Sequence, residues 1–263
     1  MVEAGLDVEQ FARDGFAVVH SVFDATEVAA LRDEAERLIA TCTAAPPPDD
    51  ECELQWDRDW MENEEDAADQ RTLRMIFPVV HLSEPFLKLA FDPRITEPIA
   101  QVLGDDSVAL FEDKLNCKLP GGSGFAWHQD WSCCWRLHTD QLVSCFVALD
   151  AADARNGALR VIPGSHADRN CLPFKPGQSF DFEVDPAHVD ARRVVTAEME
   201  PGDILLFDCF LLHHSERNRS DRARRTVIYS YGPARLGRIY EFDEMLAKRG
   251  ARLGEGAVPA FAP

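Results

Sequence analysis

The chain has 263 residues, 46% of them hydrophobic, and a formal charge of −19. That length and apolar share suffice for a sizeable buried core, while the acidic surplus excludes sequence-independent DNA or RNA binding and docking on anionic membranes, which need clustered Lys and Arg. There is no apolar run of about 18 residues and no basic-then-apolar leader, so a soluble, cytoplasmic protein with no membrane or nucleic-acid partner is expected.

In chain order, residues 16–22 have the β-branched and aromatic content of a short strand. Asp24 followed by Glu27 is a helix-start signal, and Val28, Leu31, Ala35, Leu38 and Ile39 recur at helical spacing. A helix over about 25–42 follows, and Pro46, Pro47 and Pro48 end it. Between Asp49 and Asp69, eleven acidic residues face one basic residue, Arg58, a net −10 within 21 residues. Such a run reads as a solvated loop. With Trp56 and Trp60 in it, the run also reads as a lid or rim whose negative potential concentrates a cationic substrate.

A strand-like stretch at 75–80 and helical stretches at 85–91 and 94–103 come next. Beyond Gly104 the pattern turns to β: segments 108–111, 114–119, 142–149, 158–162, 194–199, 204–207 and 226–231 read as strands. The turn signals Pro120-Gly121-Gly122, Asn156-Gly157, Pro163-Gly164 and Pro201-Gly202-Asp203 separate them. Short strands behind a helical N-terminal part predict a mainly β fold, a sandwich or barrel with helices packed outside. Neither a repeat nor a linker divides the chain, so one domain is expected over 1–263: a helical part to about 105, a core over about 106–235 and a short tail. The eight cysteines are scattered and form no Cys-x-x-Cys pair, which favours reduced thiols over disulfides or structural zinc. The adjacent Cys133 and Cys134 read as lining of a neighbouring site.

That site is Trp127-His128-Gln129-Asp130-Trp131. On an extended chain residues i and i+2 share a face, so His128 and Asp130 present an imidazole and a carboxylate side by side. Two histidines and one carboxylate with open positions suit a non-haem Fe(II) oxygenase. A second histidine is available at His213 or His214, 85 residues after His128 in the first case. Neighbours on a strand face opposite ways, so one of the two reaches a metal, and Arg224 and Arg225 pose the same choice. An arginine deep in a barrel needs a partner, and a dicarboxylate offers a bidentate one.

Four motifs carry a specific resemblance. They are Asn116-Cys117-Lys118-Leu119-Pro120-Gly121, Trp127-His128-Gln129-Asp130, the run from Asn156-Gly157 to Pro163-Gly164-Ser165-His166, and His213-x-Ser215-x-x-Asn218 followed by Arg224. With them the chain resembles, from Asp14 to about Tyr231, the phytanoyl-CoA dioxygenase family of Fe(II)/2-oxoglutarate oxygenases, which includes ectoine hydroxylase and natural-product hydroxylases. The resemblance implies a double-stranded β-helix core (jelly-roll, cupin-like) and the use of Fe(II), 2-oxoglutarate and O2. His128 and Asp130 match the family's His-x-Asp ligands. Its distal histidine is followed by Ser at +2, Asn at +5 and Arg at +11, which fits Ser215, Asn218 and Arg224 counted from His213. Counted from His214 the residues would be Glu216, Arg219 and Arg225.

The resemblance thus implies His213 as third ligand and His214 as a packing residue, with Arg224 and Ser215 holding the distal carboxylate of 2-oxoglutarate and Asn116 and Phe146 against the cosubstrate. No catalytic side chain beyond the metal ligands is implied, and the carboxylate of Asp130 disfavours halogenation. Trp127, Gln129, Trp131, Trp135 and Arg136 flank the iron strand and are the expected substrate contacts; His81 and His138 are further pocket candidates, while the 156–166 motif reads as a structural turn. The expected reaction is hydroxylation of an unactivated C–H bond of a small molecule, a secondary metabolite or amine-bearing compound, with release of succinate and CO2. Epimerisation, ring closure and desaturation begin from the same hydrogen abstraction. Readings from other classes are a barrel enzyme using the triad with another metal, and a non-catalytic metal-binding protein.

Overall fold

The computed structural model describes residues 5–48, 51–60, 72–133, 139–176, 183–237 and 239. Helix α1 (Val8–Asp14) opens on Asp7, whose carboxylate accepts from the Gln10 N–H, and ends on Gly15. Helix α2 (Ala25–Ala44) starts with the capping box that Asp24 and Glu27 announce. Helices α3 (Glu84–Ala90) and α4 (Pro93–Leu103) are capped by Ser83 and Asp92, each with a proline in the first turn.

Among the described residues, eleven strands form two antiparallel sheets. The large sheet holds β1 (Phe16–Val19), β2 (Glu53–Trp56), β3 (Leu73–Phe77), β4 (Val108–Lys118), β6 (Val143–Ala148), β9 (Ile204–Asp208) and β11 (Arg224–Pro233), in the order β1-β9-β6-β11-β4-β3-β2. The small sheet holds β5 (Phe125–His128), β7 (Leu159–Val161), β8 (Val195–Ala197) and β10 (His213–Ser215), ordered β5-β10-β7-β8. The arrangement is the expected jelly-roll.

Alternation along the strands decides which side chain faces which layer. Leu115 and Cys117 on β4, Val143, Cys145 and Val147 on β6, and Val227, Tyr229 and Tyr231 on β11 pack outward against Val28, Leu31 and Ala35 of α2 and Phe86, Ile95 and Ile99 of α3 and α4. The phenol groups of Tyr229 and Tyr231 donate to the carbonyls of Phe86 and Ala90, both at 2.7 Å, and tie α3 to the sheet. The inward residues Phe146, Leu205, Phe207 and Ile228 meet Leu159 and Val161 of the small sheet. Burying each such large apolar side chain stabilises the fold by roughly 1.5–3 kcal/mol.

Several expectations change. Segments 108–111 and 114–119 are one strand, because the polar residues between them find partners: Asp113 accepts from the N–H groups of Val79 and Val80 at 2.6 and 2.8 Å, and one oxygen of Glu112 pairs with Lys114 at 2.9 Å. The acidic segment is not a solvated loop over 51–60. There β2 pairs with β3, and the buried Asp57 carboxylate accepts from Ser123 N–H, Ser123 Oγ and Thr72 Oγ. Residues 49–50 and 61–69 of that segment lie outside the described residues, so its lid reading is not addressed by the fold. The part expected to be helical supplies strands to the core, since β1 pairs with β9 and β3 with β4. Cys42, Cys117, Cys145, Cys171 and Cys209 are not in disulfides. No described helix is long and apolar enough to cross a membrane.

Candidate metal centre and cosubstrate pocket

Strands β5 and β10 pair so that His128 lies opposite His213, with ring centroids 4.1 Å apart. Each imidazole is held by its own strand: Nδ1 of His128 lies 2.7 Å from the Ala126 carbonyl oxygen, and Nδ1 of His213 lies 2.8 Å from that of Leu211. A carbonyl accepts only from a protonated nitrogen, so the proton sits on Nδ1 and the Nε2 lone pair is left to bind a metal. Both Nε2 atoms lie 3.5 Å from Oδ1 of Asp130. The three residues bring ligand atoms within 4.8 Å of one another.

Asp130 arrives differently from the expectation. The strand ends at His128, and Asp130 opens the one-turn helix α5 (Asp130–Cys133). The Trp131 N–H donates to the Cys209 carbonyl at 3.0 Å and fixes that turn. The turn, and not strand alternation, carries the carboxylate to the imidazoles. Ser144 Oγ donates to Asp130 Oδ2 at 3.0 Å and lies 3.2 Å from Ser230 Oγ, which sets the carboxylate's orientation. Burial works to raise the Asp130 carboxyl, but His213, His128 and Lys114 outweigh it and hold the group ionised, below the usual carboxylate range. Burial, and then the neighbouring His128, push His213 down to about 4. A neutral imidazole at His213 and an ionised carboxylate at Asp130 are protonation states in which these groups can bind a divalent metal.

A cavity partly open to solvent, with about 530 Å³ of empty space when the solvent at its mouth is included, runs from this triad between the sheets. Ser215, Asn116, Lys114, Phe146 and Arg224 line it. Along β11 the inward residues are Arg224, Thr226, Ile228 and Ser230. Ser230 sits beneath Asp130 through Ser144, so Arg224 stands at the far end of that face. Arg224 is 1% exposed; among the described residues its guanidinium hydrogen-bonds Thr226 Oγ at 3.3 Å, and its Nε has no partner. Burial, only partly countered by Asp150, pulls the guanidinium down to about 10. A buried guanidinium without a hydrogen-bonded carboxylate is costly until an anion pairs with it. Asn116 Oδ1, on the same wall, is likewise buried without a hydrogen-bond partner among the described residues. The donor set therefore fits a divalent metal, and the orphaned polar atoms fit a carboxylate ligand beside it.

The model of the phytanoyl-CoA dioxygenase family matches residues 11–226. The chain belongs to that family. It is an enzyme, a non-haem oxygenase that works with Fe(II), 2-oxoglutarate and O2. It is 29% identical to the ectoine dioxygenase of Sphingopyxis alaskensis, over 91% of this chain and 81% of that one. The crystal structure of EctD from the same organism with bound Fe superposes with a TM-score of 0.69 at 25% identity, covering 92% of this chain and 83% of that one. The form with 2-oxoglutarate and 5-hydroxyectoine gives 0.66 at 28%, covering 89% and 79%. The chain is also 34% identical to a 2-aminoethylphosphonate dioxygenase of an uncultured bacterium, across about half of each: 51% of this chain and 48% of that one.

Within this family member, the structure brings together His128, Asp130, His213, Ser215, Arg224, Asn116 and Phe146 around one cavity. His214 faces the other side of β10, its ring centroid 3.9 Å from that of Trp127. Three expected substrate contacts do not line the cavity. Trp127 packs with Ile162, Val184 and Leu212, because the face opposite His128 on β5 belongs to the outer side of the small sheet. Gln129 is fully buried: its amide donates to the carbonyls of Phe210 at 2.8 Å and Asn170 at 3.1 Å, and its oxygen accepts from the Leu172 N–H at 2.9 Å. It pins the 170–172 segment. Trp131 stacks on Phe210 at 4.7 Å. Trp135, Arg136 and His138 lie outside the described residues, and His81 is buried but does not line the cavity.

Sequence reasoning missed Ser144, Lys114, Glu112 and the buried Lys118. Alternation was the available signal: Glu112, Lys114, Asn116 and Lys118 are polar, against Phe111, Leu115 and Cys117 on the opposite face. Reading two strands in place of one concealed it.

Proposed function

We propose that this oxygenase hydroxylates a C–H bond of a small, amine-bearing molecule and releases succinate and CO2. In this reading His128, Asp130 and His213 hold Fe(II), Arg224 and Ser215 take the distal carboxylate of 2-oxoglutarate, and Asn116 and Phe146 lie against the cosubstrate's body. The carrying observation is Arg224, a buried guanidinium with no hydrogen-bonded carboxylate among the described residues, in the same cavity as two imidazoles and a carboxylate. A non-redox metal enzyme gives no reason for that arginine.

Bound Fe(II), with 2-oxoglutarate and O2, supplies the oxidising power that breaks the C–H bond. The protein supplies the rest. Nδ1–H bonds to Ala126 and Leu211 aim the imidazoles, and Ser144 aims the carboxylate. Arg224 orients the cosubstrate from its far end, while Phe125, Phe146, Leu159 and Ile228 give the cavity apolar walls that exclude water.

Two observations support an amine on the substrate. Glu112 precedes Lys114 and Asn116 on the inward face of β4, next to the cavity-lining Lys114; it is 6% exposed and has one oxygen on Lys114 and the other without a hydrogen-bond partner among the described residues. A buried carboxylate oxygen in that state calls for a donor. One relative's name, 2-aminoethylphosphonate dioxygenase, also specifies an amine. The test is turnover of a panel of small amines beside analogues in which a hydroxyl replaces the amine, reading succinate and the mass of the oxidised product. Succinate matched by a product one oxygen heavier, with amines preferred and the preference lost in Glu112→Gln, is the expected result. A product two hydrogens lighter or of unchanged mass would overturn hydroxylation, and equal turnover of the analogues would overturn the amine.

A further inference from the structure

Lys118 is the last residue of β4 and stands directly opposite Arg224 in the β4–β11 ladder. It is 2% exposed, yet no carboxylate hydrogen-bonds it among the described residues. Its Nζ donates to Ser215 Oγ at 2.6 Å and to the Glu216 carbonyl at 2.7 Å, with the Phe125 ring centroid 5.5 Å away. The Glu216 carboxylate turns to Arg160 at 3.2 Å. The lysine stem is given room by Gly157, at φ +80: a Cβ there would lie 2.9 Å from Lys118 Cδ and 3.0 Å from Nζ.

An ammonium group only donates, whereas a serine hydroxyl donates once and accepts. With Lys118 on its oxygen, the Ser215 hydroxyl keeps its own hydrogen, which has no acceptor among the described residues, and Ser215 lines the cavity. We propose that Lys118 is a positioning residue for the cosubstrate: it fixes Ser215 so that the hydroxyl hydrogen points into the cavity and is donated to the distal carboxylate of 2-oxoglutarate. The inference rests on the reading that Arg224 and Ser215 receive that carboxylate. Burial, and then the adjacent Arg224 and Arg74, pull Lys118 well below an ordinary lysine. A distal carboxylate held by Ser215 and Arg224 brings negative charge close to both cations, and a monocarboxylate does not. Lys118 and Ser215 together therefore select 2-oxo acids that carry a second carboxylate.

The test is calorimetric binding of 2-oxoglutarate and of 2-oxopentanoate, which lacks the distal carboxylate, to anaerobic Fe(II)-loaded protein. Wild type is compared with Lys118→Met, Ser215→Ala, their combination and Arg224→Ala. Loss of one hydrogen bond to a charged acceptor corresponds to about tenfold weaker binding. Lys118→Met is expected to weaken 2-oxoglutarate by about that factor, to leave 2-oxopentanoate unchanged, and to add less than about twofold when Ser215 is already Ala. Additive losses, or equal weakening of both ligands, would overturn the inference. Should Lys118→Met fail to fold, Lys118→Gln is used for the same coupling with Ser215→Ala, read by the same criterion. If Arg224→Ala leaves 2-oxoglutarate binding intact, the reading of the site fails; if Arg224→Ala weakens it and the Lys118 variant does not, only the role of Lys118 fails.

Discussion

Arg224 and Arg225 follow one another on β11 and face opposite sides of the large sheet. Arg224 points into the cavity with no hydrogen-bonded carboxylate among the described residues, while Arg225 donates to Asp150 at 2.7 Å and to Glu36 of α2 at 2.6 Å. The period of two in a strand makes the split: Arg224 shares its face with Thr226, Ile228 and Ser230, and Arg225 shares its face with Val227, Tyr229 and Tyr231.

The two arginines therefore separate binding from stability. Arg224→Ala is expected to weaken 2-oxoglutarate by about 10²-fold, the loss of a charge-assisted bidentate contact, with iron still bound. Arg225→Ala is expected to keep 2-oxoglutarate affinity and to lower stability by roughly 1–3 kcal/mol, since Asp150 keeps part of its pairing through Arg32. Calorimetry and urea unfolding of both variants check this.

The adjacent histidines separate in the same way. His213→Ala removes one of the three proposed metal donors and is expected to abolish stoichiometric Fe(II) binding. His214→Ala loses only the ring contact with Trp127 and is expected to bind Fe(II) as wild type does. Equilibrium dialysis under anaerobic conditions distinguishes them.

Ser144 holds the second oxygen of Asp130 from the opposite sheet. Losing such support for a metal ligand costs about 10–100-fold in affinity. Ser144→Ala is thus expected to weaken Fe(II) by at least about tenfold without unfolding the protein, as competition with a chelator would show.

Much of this site was legible in the sequence, for physical reasons. His213, Ser215, Asn218 and Arg224 keep their spacing because β10, the following turn and β11 hold them rigidly. Asn218 shows this in the turn, where its amide bonds the carbonyls of Lys118 and Arg222. The substrate contacts were not legible. Proximity to His128 in sequence placed Trp127, Gln129 and Trp131 near the metal, but the end of β5 and the start of α5 turn them away. Helix α1 was missed although Asp7 and Gly15 bracket it, and β2 was hidden by the charge of the segment that contains it.

The helical layer has its own pH signature. Arg94 bridges Glu27 at the start of α2 and Asp92 at the start of α4, and its hydrogen bonds hold both carboxyls below their ordinary values. A carboxyl depressed in the folded state stabilises the fold above its unfolded pKa, and that contribution is lost as pH falls through the folded value. Arg94→Met, which keeps packing on Phe23, is expected to be less stable than wild type at pH 7. The gap should close below about pH 4. These groups are partly exposed, so the difference should stay below about 1 kcal/mol and shrink in high salt. Urea midpoints at the two pH values test the sign.

The most direct test of the central claim is an anaerobic titration of Fe(II)-loaded protein with 2-oxoglutarate, followed in the visible region. With His128, Asp130 and His213 on the metal and Arg224 on the distal carboxylate, a weak charge-transfer band should grow to saturation at one 2-oxoglutarate per chain, and Arg224→Ala should shift that saturation to much higher concentration. Folded, iron-loaded protein that gives no band at any 2-oxoglutarate concentration would contradict the account.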